Sequence, residues 1–433
     1  MFLIYQIGIR LYYLIILLAS PFSRKAGDWL SGRRNNQDLL SGYKADKNRH
    51  TLWMHVSSLG EFEQGRPVIE RWKAQFPDSL ILLSFYSPSG FNFRKNYPLA
   101  DLIFYLPVDT HRKMEKLVDQ LKPDLFILVK YDFWPNLLAV LKEKAIPVYL
   151  ISARFRRDQY LFKKWGRIFL QQLRDFKWIF VQDESSFNLL KDHSFNNIVV
   201  AGDTRVDAVM NRDFETGRRG DRKTLRRGDF ETLRRGDFET GRRVLIGGST
   251  WPVEEKMLSR LWHSSEFKEL KKDWRLVIAP HDISETHLVQ IEALFPDGII
   301  RHSRIEGPGT EAFPADDVIL IDSIGLLSSL YAYADLAFIG GGFGKGIHNI
   351  LEPAAFGLPV VIGPNWTKFR EAESLIGFGA AFPINDYEDF LSRVMKLCSD
   401  SDFRTESGVL AVSYMKSQMG SSDLIIRYLL GKW

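Results

Sequence analysis

The sequence predicts an α/β protein built from two doubly wound, Rossmann-like domains. Three observations predict it. Short apolar runs alternate with stretches of helical period, the alternation begins afresh after residue 243, and the segment between the two series is a basic repeat with too few apolar residues for a core. A chain of 433 residues is long enough for two or three cores. Hydrophobic residues make up 45% and charged residues 26%, ordinary globular usage that excludes global disorder and a polytopic membrane protein. The single cysteine, Cys398, excludes an internal disulfide framework and a cysteine-rich zinc module, so a reducing compartment is the default.

Residues 1–22 are apolar and aromatic apart from Gln6, Arg10 and Ser20, and Arg24, Lys25, Arg33 and Arg34 follow. The length approaches what a bilayer requires, whereas Arg10 in mid-segment costs about 2.5 to 3.5 kcal/mol on insertion scales. Both a spanning and an interfacial helix fit, and a membrane anchor is expected. The basic flank keeps the globular part on the cytoplasmic side. A cleaved secretory signal lacks a clean small-x-small site here, and a docked helix is the plain structural alternative.

Residues 23–210 carry the first αβ series. Strands are expected at Leu52–Val56, Leu80–Phe85, Leu125–Val129, Val148–Ser152, Trp178–Gln182 and Ile198–Ala201, with helices at Pro67–Phe76, Trp134–Lys144 and Tyr160–Asp175. Between Arg218 and Gly241 runs an eight-residue repeat, RRGDRKTL, RRGDFETL, RRGDFETG, whose period matches no solenoid unit. Residues 211–243 hold eleven Lys/Arg against seven Asp/Glu; of the whole chain's 58 and 53, this leaves 47 and 46. The net charge of +5 is therefore concentrated in this segment, which reads as a solvated linker, and the pI says little about a partner.

Residues 244–433 carry the second series. Strands are expected at Val244–Gly247, Leu276–Ala279, Val318–Ile321, Leu336–Ile339 and Pro359–Ile362, and helices at Val253–Trp262, Ser284–Leu294, Leu326–Ala334, Asn349–Phe356 and Tyr387–Leu397. Two such domains face a central cleft, and ligands of open α/β sheets bind outside the carboxyl ends of the strands. The residues that follow strands are thus the candidates for chemistry.

After the first strand, His55-Val56-Ser57-Ser58-Leu59-Gly60-Glu61 opens a helix. Ser58 and Glu61 have capping-box spacing, a structural reason for both. Glu61 is equally a carboxylate at a cleft-facing turn, able to take a proton from a hydroxyl, and Gly60 can bring backbone near a ligand. In the second half, Ile339-Gly340-Gly341-Gly342-Phe343-Gly344-Lys345-Gly346 lies between strand and helix. Successive amides there suit a phosphate; a bare turn is the alternative. No Walker A or G-x-G-x-x-G frame fits, which disfavours ATP hydrolysis and hydride transfer. Glu352, one turn into the next helix, can satisfy its own helix dipole or accept from ribose hydroxyls. Scattered histidines make a catalytic metal improbable, no cofactor is implied, and no G-x-S-x-G elbow occurs.

In HVSSLGE at 55–61, WPNL at 134–137, SAR at 152–154, GDTRVD at 202–207, GGST at 247–250 and ADLAFIGGG…HNILEPAAFGLPVVIGP at 334–364, the chain resembles the 3-deoxy-D-manno-octulosonic acid (Kdo) transferases of lipopolysaccharide biosynthesis, membrane-anchored glycosyltransferases of GT-B architecture. The similarity runs from the apolar N-terminus almost to the C-terminus, outside the repeat. The resemblance implies an inverting transfer of Kdo from CMP-Kdo to a tetraacyl disaccharide precursor of lipid A. The catalytic base falls on Glu61. Transition-state stabilisation falls on Lys130 and Arg205, with Asp132 matching the second acid of a stretch that reads Lys130-Tyr131-Asp132 here. CMP contacts fall on Pro280, His281, Ile324, Gly325, Leu326, Asn349, Ile350, Leu351 and Glu352.

The sequence departs from the family pattern at Lys130, where a carboxylate is more common, at His281, where Arg is common, and at Leu326, where Glu is common. Trp251 stands where the family has His after Ser-Thr. The resemblance further implies CMP-Kdo and the acylated lipid A precursor as partners, the cytoplasmic side of the cell inner membrane as location, and no nucleic acid. Two other readings stand beside it. One is another GT-B nucleotide-sugar transferase or a UDP-sugar 2-epimerase, sharing the C-terminal Gly-rich and Glu motifs. The other is a membrane-tethered protein that binds nucleic acid or lipid through the basic repeat.

Overall fold

The computed structural model describes residues 2–46, 48–163, 166–210, 242–304 and 318–431. Among them, fourteen strands form two seven-stranded sheets, with every pair parallel. The chain divides into two units, one running to Ala208 and resuming at Gln418, the other spanning Val209–Ser417.

In the first unit, β1 (Thr51–Val56), β2 (Leu80–Phe85), β3 (Leu102–Tyr105), β4 (Leu125–Val129), β5 (Val148–Ala153), β6 (Trp178–Val181) and β7 (Ile198–Val200) are ordered β3-β2-β1-β4-β5-β6-β7. All six residues of β1 and of β2 are buried, because helices cover both faces of a parallel sheet. Period-two alternation sorts them. Trp53, Leu82, Phe104, Phe126 and Leu150 share one core, while Leu52, Met54, Val56, Ile81, Leu83 and Ile127 share the other. The order turns back between β1 and β4, and this switch point opens a crevice at the carboxyl ends of those two strands.

Helix α1 (Phe2–Ala19) and α2 (Arg24–Gly42) precede the sheet, and α3 (Leu59–Gln75) follows β1. Because α3 begins at the Ser58 cap, Pro67 lies inside the helix rather than at its start. α1 rests on the unit by Ile9 and Ile16, which pack with Trp29, Leu30 and Val108, and by Tyr5, whose hydroxyl donates to Asp109 Oδ2 at 2.7 Å. Its remaining face exposes Ile4, Ile7, Leu11, Leu14, Ile15 and Leu18. No single described helix is long and apolar enough to cross a membrane; Ile4–Ala19 with Arg24–Arg34 passes that test only as a pair bent by 114°.

In the second unit, β8 (Arg243–Thr250), β9 (Trp274–Pro280), β10 (Ile299–Arg301), β11 (Val318–Leu320), β12 (Leu336–Ile339), β13 (Val360–Ile362) and β14 (Ala381–Pro383) are ordered β10-β11-β9-β8-β12-β13-β14. Here the switch point lies between β8 and β12.

Four expectations are corrected. The C-terminal domain does not run to residue 433: helix Ser421–Leu429 belongs to the first unit, where Ile425, Ile426 and Leu429 join the core beneath α3. Buried Asp207 holds its start, accepting from the Gly420 and Ser422 amides at 2.7 and 2.6 Å and from the Ser422 hydroxyl at 2.6 Å. The N-terminal domain correspondingly takes in residues beyond 23–210, including the docked α1. Tyr160–Asp175 is not one helix but a 3-10 turn at Tyr160–Phe162 and a helix at Arg167–Leu173. The stretch expected as a helix at Asn349–Phe356 is helical only over Leu351–Ala355. Residues 211–241, most of the expected linker, lie outside the described residues; β8 starts at Arg243.

Candidate functional site

The crevice at the β1/β4 switch point gathers ionisable groups. Ser58 caps α3, accepting from the Glu61 amide at 3.4 Å, and the Glu61 carboxylate turns back to accept from the Ser57 amide at 2.5 Å. Glu61 therefore does serve its helix start. Yet burial, reinforced by the Asp132 carboxylate, pushes its pKa up to about 7 against the pull of the Ser57 amide and the Lys130 ammonium. Burial also raises the pKa of Asp132, opposed by Lys130. Beside Glu61, Ser57 Oγ is shielded from solvent and has no hydrogen-bond partner. A hydroxyl left so is costly unless something else completes it.

Lys130 follows β4 with φ +63, a left-handed backbone that a non-glycine residue adopts only under constraint; its amide is held by the Ile151 carbonyl at 3.0 Å. The chain turns at residues 130 and 131, and Asp132 follows the turn. Arg205, after β7, is gripped by Asp203: Nε lies 3.1 and 3.0 Å from the two carboxylate oxygens and a terminal nitrogen 2.5 Å from one. Burial alone would raise the Asp203 pKa, but Arg205, aided by Lys130, drives it below the ordinary value. The first unit thus brings Glu61, Lys130, Asp132 and Arg205 into one electrostatic cluster. Sequence reasoning missed Asp203 and Ser57, although both stand inside the quoted motifs.

The motif histidine, His55, is a positioning group. Trp134 Nε1 donates to His55 Nε2 at 3.0 Å, so the ring proton sits on Nδ1, 2.9 Å from Ser84 Oγ, which also accepts from Trp53 Nε1 at 2.8 Å. Complete burial, with Arg33 nearby, lowers its pKa to about 3, and the ring stays neutral. This chain of bonds ties HVSSLGE to WPNL across the end of the sheet.

The second unit's crevice is built differently. The Gly-rich loop does not present a free row of amides. The amides of Gly340, Gly344, Gly346 and His348 are bonded to backbone carbonyls. The Gly341 amide donates to the buried Glu254 carboxylate at 2.9 Å, and the Phe343 amide also serves Glu254. The glycines are needed for close packing. A Cβ on Gly342 would lie 2.6 Å from the backbone of Gly363, and one on Gly340 would strike the backbone of Ser249. The expected phosphate cradle is thus, in this loop, a junction between the ends of β8, β12 and β13.

Of the expected CMP contacts, Pro280 ends β9 and the exposed His281 follows it. Ile324 and Gly325 are exposed after β11, Gly325 at φ +98, and Leu326 precedes the helix Leu327–Leu330. Asn349 is exposed, and its side chain accepts from the Leu351 amide at 3.1 Å. Ile350 and Leu351 are buried in the core, so only their backbone can reach a ligand. Glu352 sits in the following short helix. Trp251, His281 and His348, which follow three strands, meet face to face and edge to edge; of these only His281 was expected as a CMP contact.

Residues 34–208 match the family model described as 3-deoxy-D-manno-octulosonic-acid transferase (kdotransferase). A bifunctional glycosyltransferase/methyltransferase of Fusobacterium nucleatum is 23% identical over 93% of the chain, which spans only 62% of that relative's length. A 3-deoxy-D-manno-octulosonic acid transferase of Aquifex aeolicus is 26% identical, over 80% of this chain and 86% of its own. Among solved structures, a UDP-GlcNAc 2-epimerase from Neisseria meningitidis superposes with TM-score 0.62 at 16% identity, covering 88% of this chain and all of that one. MurG of Acinetobacter baumannii does so with TM-score 0.52 at 15% identity, covering 88% and 99%. At such identities the structural likeness speaks for the GT-B fold alone.

Proposed function

We propose, from the premise that this chain belongs to the Kdo transferase family, that it moves Kdo from CMP-Kdo to an acylated disaccharide precursor of lipid A with inversion. One observation carries the mechanism: Glu61, at the switch-point crevice, has its pKa raised to about 7. A carboxylate so tuned is a better base than one at the ordinary value, yet is still substantially ionised at neutral pH. Glu61 takes the proton of the acceptor hydroxyl as that oxygen attacks the anomeric carbon from the face opposite CMP. The bond from the anomeric carbon to the phosphate oxygen breaks, and CMP leaves with the electron pair.

Lys130 and Arg205 supply positive charge where negative charge moves, and Asp132 holds the Glu61 pKa up. Ser57 Oγ, without a partner in the free protein, is available to the acceptor hydroxyl. Donor binding falls to the second unit, through Pro280, His281, the segment Ile324–Leu326 and the segment Asn349–Glu352.

The exposed apolar face of α1 supports an interfacial anchor at the cytoplasmic face of the inner membrane. Its opposite side is already occupied by the first unit, through Tyr5, Ile9 and Ile16. An acylated acceptor would then be met in two dimensions.

The test is a transfer assay with CMP-Kdo generated in place and the tetraacyl precursor as acceptor, reading product mass and anomeric configuration. Inverted Kdo product from the wild type, and none from a folded Glu61→Gln variant, is the expected result. A product of retained configuration, or full activity in Glu61→Gln, would overturn it.

A further inference from the structure

Trp251, His281 and His348 follow β8, β9 and β12, the three strands around the second unit's switch point. The Trp251 indole Nε1 donates to His348 Nε2 at 3.0 Å, and the two rings are parallel to within 14° with centroids 6.4 Å apart. That is an edge-to-edge, nearly coplanar pair. His281 lies parallel to both, at 26° and 4.8 Å from Trp251 and 23° and 4.5 Å from His348. Its ring therefore covers the seam of the pair. The hydrogen bond requires His348 Nε2 to be unprotonated, so the pair is neutral.

Core aromatics are buried; these are not. Trp251 keeps 40% of its surface exposed and His281 is exposed as well. Three flat rings stacked at the solvent edge of a ligand crevice form an extended π surface, the kind on which a planar heterocycle stacks. The main-chain bond from the His281 amide to the Thr250 carbonyl, 2.9 Å, fixes the two loops in register.

We propose that the Trp251–His348 pair is a plate that holds His281 flat, and that His281 so held stacks on the nucleobase of the donor. Trp251 is then a positioning residue for donor affinity. The inference rests on the proposed use of a cytidine nucleotide.

The experiment measures CMP binding by calorimetry, together with donor KM and kcat, in the wild type, Trp251→Ala, His281→Ala, the double variant and Trp251→Phe. Loss of a base-stacking surface weakens binding about tenfold. Each alanine variant should lose about that factor, with donor KM rising in step and kcat nearly unchanged. The double variant should be little worse than either, because the second change finds the stack already broken. Trp251→Phe restores a face without the indole donor and should recover much of the affinity; if Trp251→Ala fails to fold, Trp251→Leu, which fills the space without a ring, takes its place and should show the same loss. Unchanged affinity in Trp251→Ala, or in Trp251→Leu where it takes its place, together with a normal donor KM, or losses that multiply in the double variant, would overturn the coupled surface. A wild type that does not bind CMP would instead overturn the donor assignment beneath it.

Discussion

The two units are both doubly wound parallel sheets that differ in the order of their outer strands, β11 standing between β10 and β9 in the second, and they put opposite chemistry at their switch points. The crevice of the first holds Glu61, Lys130, Asp132, Asp203 and Arg205 within one electrostatic field, with pKa values shifted up at Glu61 and Asp132 and down at Asp203. That of the second is lined by close-packed glycines and the rings of Trp251, His281 and His348. Backbone strain does not separate them: Lys130 and Ser152 in the first unit and Ser249 in the second take positive φ at strand ends, and only within the Gly-rich loop are the positive-φ positions glycines, Gly341 and Gly346. A doubly wound sheet offers a place for a ligand, and the side chains after the strands decide whether that place moves protons or holds a flat, already ionised group.

The sharpest way to break this contrast is to disturb one tight junction in each unit. Gly342→Ala drives Cβ to 2.6 Å from the Gly363 backbone and should destabilise the second unit by about 1–3 kcal/mol or more, read as a lowered midpoint in urea. If the variant melts like the wild type, the junction described for the loop is not rigid. Asp207→Ala leaves the Gly420 and Ser422 amides without their acceptor. It should cost about 1–3 kcal/mol and expose the last helix to limited proteolysis. An unchanged cleavage pattern would contradict the seat assigned to that helix.

A subtler test separates the charges. With Glu61 as the base proposed above, only its ionised form accepts the proton, so the rate should rise with pH through about 7. Asp132→Asn removes a like charge and should move that limb to lower pH; Lys130→Met removes an opposite charge and should move it higher. Stability runs the other way. A folded-state pKa above the unfolded value of 4.5 means that the folded protein holds this proton more tightly, so stability falls as pH climbs from there to about 7. Glu61→Gln should flatten that slope in pH-dependent denaturation. The smallest effect belongs to Gly60→Ala. With nothing nearer to its Cβ than Ser58 Oγ at 4.0 Å, it should change stability by less than about 1 kcal/mol, so any loss of activity would report the approach of a ligand.

Much of the frame was legible because central parallel strands are continuous apolar runs, and these were read nearly to the residue. The edge strands β3, β10 and β14 were missed, although the equally short β7, β11 and β13 were read; β10 and β14 end on Arg301 and Pro383, which interrupt the apolar run. Glu61 was legible from its cap spacing and its place after a strand. Asp203 was not, because its grip on Arg205 depends on how the segment after β7 folds. The Gly-rich loop was read as a phosphate cradle; composition cannot tell amides that await an anion from backbones that must touch. The ring stack was equally hidden, as Trp251 and His348 lie 97 positions apart.

The helix held by Asp207 has a consequence for how the chain is made. Unit two is an insertion within unit one, so a ribosome finishes the inserted domain while the first still lacks the Ile425, Ile426 and Leu429 side chains of its core. During that interval the apolar seat beneath α3 stands open on a nascent chain, close in sequence to an apolar N-terminal helix. Early capture of α1 by a lipid surface would hold the unfinished domain apart from its neighbours on the same message. A gene fragment cut at the apparent domain boundary near residue 210 would leave that seat open for good, and should be rescued by supplying the last helix, either fused or as a separate peptide.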